Sequence, residues 1–119
     1  MSKYRATKCV YDNIKFDSLL ERDCYLTLSN LFKAGTIAKL KLQHKFPLLS
    51  SSGKVVGNYV ADFLISFPSG KQLVVEAKGV ETAVWKWKRK HYEHDYSIPL
   101  LLIKREDMNK LLFLGQQFN

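Results

Sequence analysis

Residues 58–78, NYVADFLISFPSGKQLVVEAK, decide the fold. Tyr59, Ala61, Phe63, Ile65 and Phe67 form an apolar file at the two-residue period of a strand. The alternate file carries Asn58, Asp62 and Ser66 beside Val60 and Leu64. A second run, Lys71 to Lys78, sets Leu73, Val75 and Ala77 on one face and Gln72, Val74, Glu76 and Lys78 on the other. Pro68-Ser69-Gly70 between them reads as a short turn, with Gly70 where a positive φ is needed. A hairpin closed there pairs Phe67 with Lys71, and counting back from that pair sets Asp62 directly opposite Glu76.

Facing side chains across an antiparallel pair hold their Cβ atoms roughly 4.5–5.5 Å apart, where like charges are destabilising. The chain has 11 acidic residues, and two of them meet inside its most apolar hairpin. One physical remedy is a bound divalent cation, a hard ion that takes carboxylate oxygens. Lys78 follows Glu76 on the same face, about 7 Å further along. Two carboxylates and an ammonium on one patch of sheet are apparatus for phosphodiester chemistry.

At 119 residues and 46% apolar composition, the chain reads as one domain, 1–119, long enough for a real core. A formal charge of +8 points to a polyanionic partner, against the plainer reading of a soluble basic protein. Cys9 and Cys24 supply neither a disulfide framework nor zinc spacing and read as reduced thiols. MSKYRATKC does not read as a signal peptide, and no apolar run approaches the length of a membrane span. The expectation is a cytoplasmic protein that engages no membrane and no small-molecule cofactor.

Residues 1–16 are basic and polar, a loose arm or a short hairpin turned at Asp12-Asn13. The first helix starts at Ser18, where Ser18-Leu-Leu-Glu21 fits a capping box, and stops at Ala34-Gly35. Its apolar stripe gathers Leu20, Cys24, Tyr25, Leu28, Leu31 and Phe32, and Glu21 projects inside it. Two readings compete for Glu21: the carboxylate reaches back to the Ser18 amide, or it is aimed at the sheet and its metal. Ile37 to Leu49 alternates as a strand with Lys39, Lys41, Gln43 and Lys45 on one basic face, closed by Pro47. Thr82 caps a second helix through about Tyr96. Trp85, Tyr92 and Tyr96 form one stripe for the sheet, and Trp87, His91 and His94 form another, free for DNA or a second subunit. Lys86, Trp87, Lys88, Arg89 and Lys90, with Lys39, Lys41 and Lys45, are the candidate DNA surface, cations for phosphates with aromatics interleaved. Ser97 to Ile103 reads as a buried strand. Arg105 to Leu114 reads as a last helix with Met108, Leu111 and Leu112 turned inward and Gly115 ending it. The order is helix, three strands, helix, strand, helix: an α/β fold with an αβββαβ core, a small mixed sheet flanked by helices.

These residues resemble the PD-(D/E)xK nucleases, whose motif falls here on Ala61-Asp62, with Ala61 in place of the usual proline, and on Glu76-Ala77-Lys78. More narrowly, FDSLLERDCYL, AGTIAKLKLQHKFPL, GNYVADF, LVVEAKGVET and VWKWKRK occur in the order found in small phage-encoded endonucleases related to Holliday-junction resolvases. The start of the first helix, Ser18-Leu-Leu-Glu21-Arg22, is also similar to the endonuclease subunit of heteromeric transposases. The resemblance implies a restriction-endonuclease-like core in which Asp62, Glu76 and the carbonyl of Ala77 ligate Mg²⁺ or Mn²⁺. Glu21 adds a carboxylate directly or through water, Lys78 orients or activates the attacking water, and Gln43 stands near the site as a secondary polar residue. It further implies an endodeoxyribonuclease selective for branched DNA, in phage or mobile-element recombination or replication. Separately from the resemblance, a two-fold homodimer would suit a four-way junction by matching its symmetry. Two alternatives stay open: a non-catalytic nucleic-acid-binding module, and a nuclease subunit active only with a partner.

Overall fold

The computed structural model describes residues 8–119. The chain begins with a hairpin, β1 (Cys9–Tyr11) and β2 (Ile14–Phe16). Asp12 and Asn13 both take positive φ, 53° and 62°, the two-residue turn whose twist suits antiparallel strands. The hairpin reading of the N-terminal segment therefore holds for its second half, and the arm over residues 1–7 lies outside the described residues.

Helix α1 (Leu19–Lys33) is capped by Ser18, whose hydroxyl accepts the Glu21 N–H at 3.0 Å. Gly35 turns the chain out at φ +83°, a conformation costly for other residues. Leu20, Cys24 and Leu28, one turn apart, are the buried stripe. Leu31 packs on the core as expected, while Phe32, expected to extend the stripe, is 46% exposed.

The main sheet has the order β3-β4-β5-β6, from Lys39–Leu49, Val55–Ser66, Gln72–Ala77 and Leu100–Ile103. The first three strands are antiparallel, and β6 runs parallel to β5 after the crossover through α2 (Ala83–Asp95). Thr82 caps α2 as the sequence predicts, its hydroxyl accepting the Trp85 N–H at 3.2 Å. Pro47 lies within β3 rather than closing it, which the strand tolerates because it is a sheet edge. At the other edge, Leu100, Leu101 and Leu102 of β6 are only half-buried.

Alternate residues of β5 separate two cores. Leu73, Val75 and Ala77 pack with Leu20, Cys24 and Leu28 of α1, while Val74 packs with Trp85 and Tyr92 of α2. The long apolar file of β4 does not keep to one of these. Phe63, Ile65 and Phe67 belong to the α1 side, whereas Tyr59 and Ala61 belong to the α2 side. Strand β3 reverses with it, Leu40 and Leu42 facing α1 and Phe46 and Leu48 facing α2. The change of side falls at Gln43, whose φ is +52°, and at Asp62 opposite it, the one position missing from the ladder between Leu42↔Phe63 and His44↔Ala61. Lys39 and Lys41 consequently point to the α2 side of the sheet and Lys45 to the α1 side. The single basic face expected of β3 is split.

The C-terminal segment differs from its sequence reading. Arg105–Phe113 is a 3₁₀ turn segment that runs on into a short helix, α3 (Leu114–Phe118). With three residues per turn, Met108, Leu111 and Leu114 fall on one face, so Leu111 and Leu114 are buried and Leu112 is 63% exposed. Gly115 does not end the helix. It lies against Thr36, where a Cβ would stand 2.7 Å from the Thr36 methyl. Among the described residues, no helix is long and apolar enough to cross a membrane.

Gly115→Ala should therefore lower the thermal unfolding midpoint, at a cost of about 1–3 kcal/mol for overpacking. Thr36→Ser in the same chain removes the obstructing methyl and should restore most of the loss. Equal midpoints for wild type and Gly115→Ala would contradict this packing.

Candidate active site

The site forms where two strands part. The β4–β5 ladder runs from Ser66↔Gln72 to Phe63↔Val75, and the next step in that register sets Asp62 against Glu76, as the turn chemistry predicts. There the backbones diverge, and side chains take over the hydrogen bonds the ladder has dropped. Asp62 Oδ2 accepts the Ala77 N–H at 2.9 Å, and Glu76 Oε2 accepts the Asp62 N–H at 3.3 Å. Within a strand a residue's N–H and C=O point to the same side. The Ala77 carbonyl thus faces the gap that its N–H faces.

Glu76 is 2% exposed, on the α2 side of the sheet. The buried Tyr59 hydroxyl donates to its Oε2, and the Tyr59 ring is held by Tyr92 of α2 at 5.2 Å and Phe46 of β3 at 6.3 Å. Tyr59 escaped the sequence reading. Strict alternation puts residues 59 and 62 on opposite faces, and only the reversal at Asp62 lets both reach Glu76.

Glu21 approaches from the other side. Its carboxylate does not bond the Ser18 amide, so only the Ser18 half of the expected capping box forms. Instead Glu21 Oε1 accepts from Gln43 Nε2 at 3.1 Å. The left-handed backbone of Gln43 aims its amide there, a strained conformation of the kind that gathers at functional sites. Gln43, Tyr59, Asp62, Glu76, Lys78 and Trp85 line one cavity of about 330 Å³, with Asp17, Thr82 and Lys88 also on its wall. Glu21 stands behind Gln43.

Lys78 makes no ion pair among the described residues, and its ammonium lies 5.7 Å from the centre of the Trp85 ring. Arg89 packs on the same ring at 5.6 Å and pairs with Glu93 at 3.6 Å, so its charge is partly committed. Lys86, Trp87, Lys88 and Lys90 are exposed on α2, as are Lys39, Lys41 and Lys45 on β3. Trp85 Nε1 is buried without an acceptor among the described residues, and nothing in the structure explains it.

The electrostatics follow from burial of like charges. Burial and then the charge of Asp62 push the Glu76 carboxyl up to about 8, against the Tyr59 hydroxyl, the Asp62 N–H and Lys78. Burial, Asp62 and Asp17 together push Glu21 up to about 7. Burial also raises Asp62, opposed by the Ala77 N–H and Lys78. Asp62, Glu76 and the Ala77 carbonyl are a set of hard oxygen donors, the kind a divalent cation takes and the kind its charge would relieve. Among the described residues no three His, Cys, Asp or Glu side chains converge tightly enough to hold an ion themselves. Glu21 reaches the site through Gln43 and does not itself line the cavity.

The raised carboxyls give a signed prediction for the metal-free protein. From the ordinary value of 4.5 up to about 8, the fold binds protons that the unfolded chain has released. Stability should accordingly be greatest near pH 5 and fall toward pH 8, by about 1.4 kcal/mol per pH unit for each such proton. Asp23, Asp95, Asp107 and Glu81, held below the usual range by hydrogen bonds and cations, act in the opposite sense only at more acid pH. Thermal melts in chelator should show the midpoint dropping between pH 5 and 8, and Glu76→Gln flattening the drop. A midpoint that climbs over that range would contradict the burial of these acids.

No curated protein matches the chain. Residues 1–106, which include every residue of the site above, match a family described as "Protein of unknown function (DUF1064)". The chain belongs to that family.

Proposed function

We propose that the protein is a divalent-metal-dependent endonuclease that hydrolyses phosphodiester bonds in DNA. The observation that carries the proposal is the pair of half-buried Asp62 and buried Glu76, meeting where β4 and β5 part, on a cavity shared with Lys78. Asp62, Glu76 and the Ala77 carbonyl would hold Mg²⁺ or Mn²⁺, whose charge would acidify bound water and stabilise the developing phosphate charge. Tyr59 and the Asp62 N–H fix one oxygen of Glu76, and the Ala77 N–H fixes one oxygen of Asp62, so neither carboxylate has to be ordered when substrate arrives. Gln43, steadied by Glu21, offers its amide to water at the cavity wall. Lys78 projects into the cavity, orients the attacking water and offsets charge on the scissile phosphate. Water oxygen adds to phosphorus in line with the departing sugar oxygen, which takes up a proton. The products are a phosphate monoester end and a hydroxyl end.

The net charge of +8 and the exposed cations Lys86, Lys88 and Lys90 of α2 supply attraction for the DNA backbone, with Lys88 on the cavity itself. The preference for branched DNA rests on the resemblance of the sequence segments alone, and the two-fold dimer on the symmetry of a four-way junction.

A labelled four-way junction and a linear duplex of the same sequence, each incubated with Mg²⁺, Mn²⁺ or EDTA, test this reading. Cutting should require metal, and paired symmetric nicks in the junction alone would support the branched-DNA preference. Lys78→Ala should reduce cleavage by about 10²–10³-fold, the usual loss on removing one charge-stabilising donor, while DNA binding stays within about twofold. Tight binding with no cutting in either metal would overturn the enzyme reading and leave the binding module.

A further inference from the structure

Two tryptophans on one helix have opposite fates. Trp85 is 6% exposed and lies over the sheet, while Trp87 is 77% exposed. An exposed aromatic gains meaning when it borders a groove that could seat a partner. Trp87 borders a cleft of about 540 Å³ with Leu49, Lys90, His91 and His94. The floor is braced. His91 Nε2 lies 2.8 Å from the Leu49 carbonyl, the Leu49 N–H donates to Asp95 at 2.9 Å, and Asp95 also holds the His94 ring at 3.0 Å. These bonds tie the C-terminal turn of α2 to the end of β3, so the cleft is a fixed surface.

Its charges are arranged one way. Asp95 is spent on Leu49 and the two histidines, and Glu93 is turned to Arg89, whereas Lys90 is exposed to solvent. A second copy of a +8 chain would meet this cationic rim with repulsion, and a polyanion would meet it with attraction. The volume suits one nucleotide rather than a length of duplex. Any base offers a π-face to an indole once it is out of its stack.

We propose that this cleft binds an unpaired nucleobase stacked on Trp87, with the flanking phosphates on Lys90 and His94. On the same helix, Val84, one turn before Trp87, and Lys88, the residue after it, line the cavity of Asp62 and Glu76. A strand leaving that cavity along the helix reaches Trp87 next. The proposal rests on the nuclease reading only in taking DNA as the partner, and it specifies the substrate: DNA with unpaired bases beside the bond that is cut.

The test is made in EDTA with the full chain, so cleavage plays no part. Fluorescence anisotropy compares wild type, Trp87→Ala and Trp87→Phe on a labelled oligothymidylate, on a strand of abasic sites of the same length, and on a blunt duplex. Trp87→Ala should weaken oligothymidylate binding by about tenfold, within the range for losing one base–aromatic stack, and Trp87→Phe should recover most of it. Binding of the abasic strand and of the duplex should change by less than about twofold. The proposal is overturned if wild type does not bind oligothymidylate, if Trp87→Ala has no effect, or if all three DNAs weaken equally. It is likewise overturned if sedimentation shows that Trp87→Ala splits a dimer, since Trp87 would then be an interface residue. A wild type that binds as expected here but never cuts with metal would sink the nuclease reading and leave this one standing.

Discussion

A buried glutamate and a half-buried aspartate that meet where two strands separate are the constraint on which the rest of the structure depends. Neither Asp62 nor Glu76 can be solvated freely: burial raises the proton affinity of both, and the charge of Asp62 raises that of Glu76 further. The fold does not answer with a salt bridge. It answers with donors, the Ala77 N–H for Asp62 and the Tyr59 hydroxyl and Asp62 N–H for Glu76. The Ala77 N–H is free because β4 and β5 have stopped pairing, and the Asp62 N–H and the Tyr59 hydroxyl reach Glu76 because β3 and β4 change side at Gln43 and Asp62. An unbroken hairpin would have spent the Ala77 N–H on a strand carbonyl and left no room for either carboxylate.

The surrounding elements keep that gap open and furnished. Helix α1 brings Glu21 from one side, and α2 braces Tyr59 through Tyr92 from the other. The Tyr92 hydroxyl is itself tied to the Ile98 carbonyl at 2.8 Å, and the Tyr96 hydroxyl to the Pro47 carbonyl at 2.6 Å. The aromatic stack thus joins α2, the connection to β6 and the edge strand β3 around one glutamate. A packed interior of this kind transmits misplacement, because side chains in it have few alternative positions.

Much of this was legible in the residues. Pro68-Ser69-Gly70 fixes the hairpin register, since the Phe67 N–H does bond the Lys71 carbonyl and Gly70 does take a positive φ, and register then forces Asp62 against Glu76. Both helix starts were readable because Ser18 and Thr82 have side chains that cap. Three things were not. The reversal of β3 and β4 at Gln43 and Asp62 is invisible to a period-two reading, which assumes regular strand backbone on both sides, and it hid Tyr59 and split the lysines of β3. The tighter winding after Arg105 moved the inward face from Leu112 to Leu114. Gly115 carries the composition of a helix stop, yet its absent side chain serves close packing on Thr36. In each case a local rule was overridden by a contact distant in sequence.

The central claim is that the Asp62–Glu76 pair is a site for a divalent cation, and calorimetric titration of Mn²⁺ into the metal-free chain at pH 7 tests it most directly. Running the titration in two buffers of different ionisation heat also counts the protons displaced. The account predicts one ion per chain bound with release of a proton, and no binding by an Asp62→Asn variant whose fold is verified by circular dichroism. Absence of Mn²⁺ binding, or equal binding by wild type and Asp62→Asn, would contradict it.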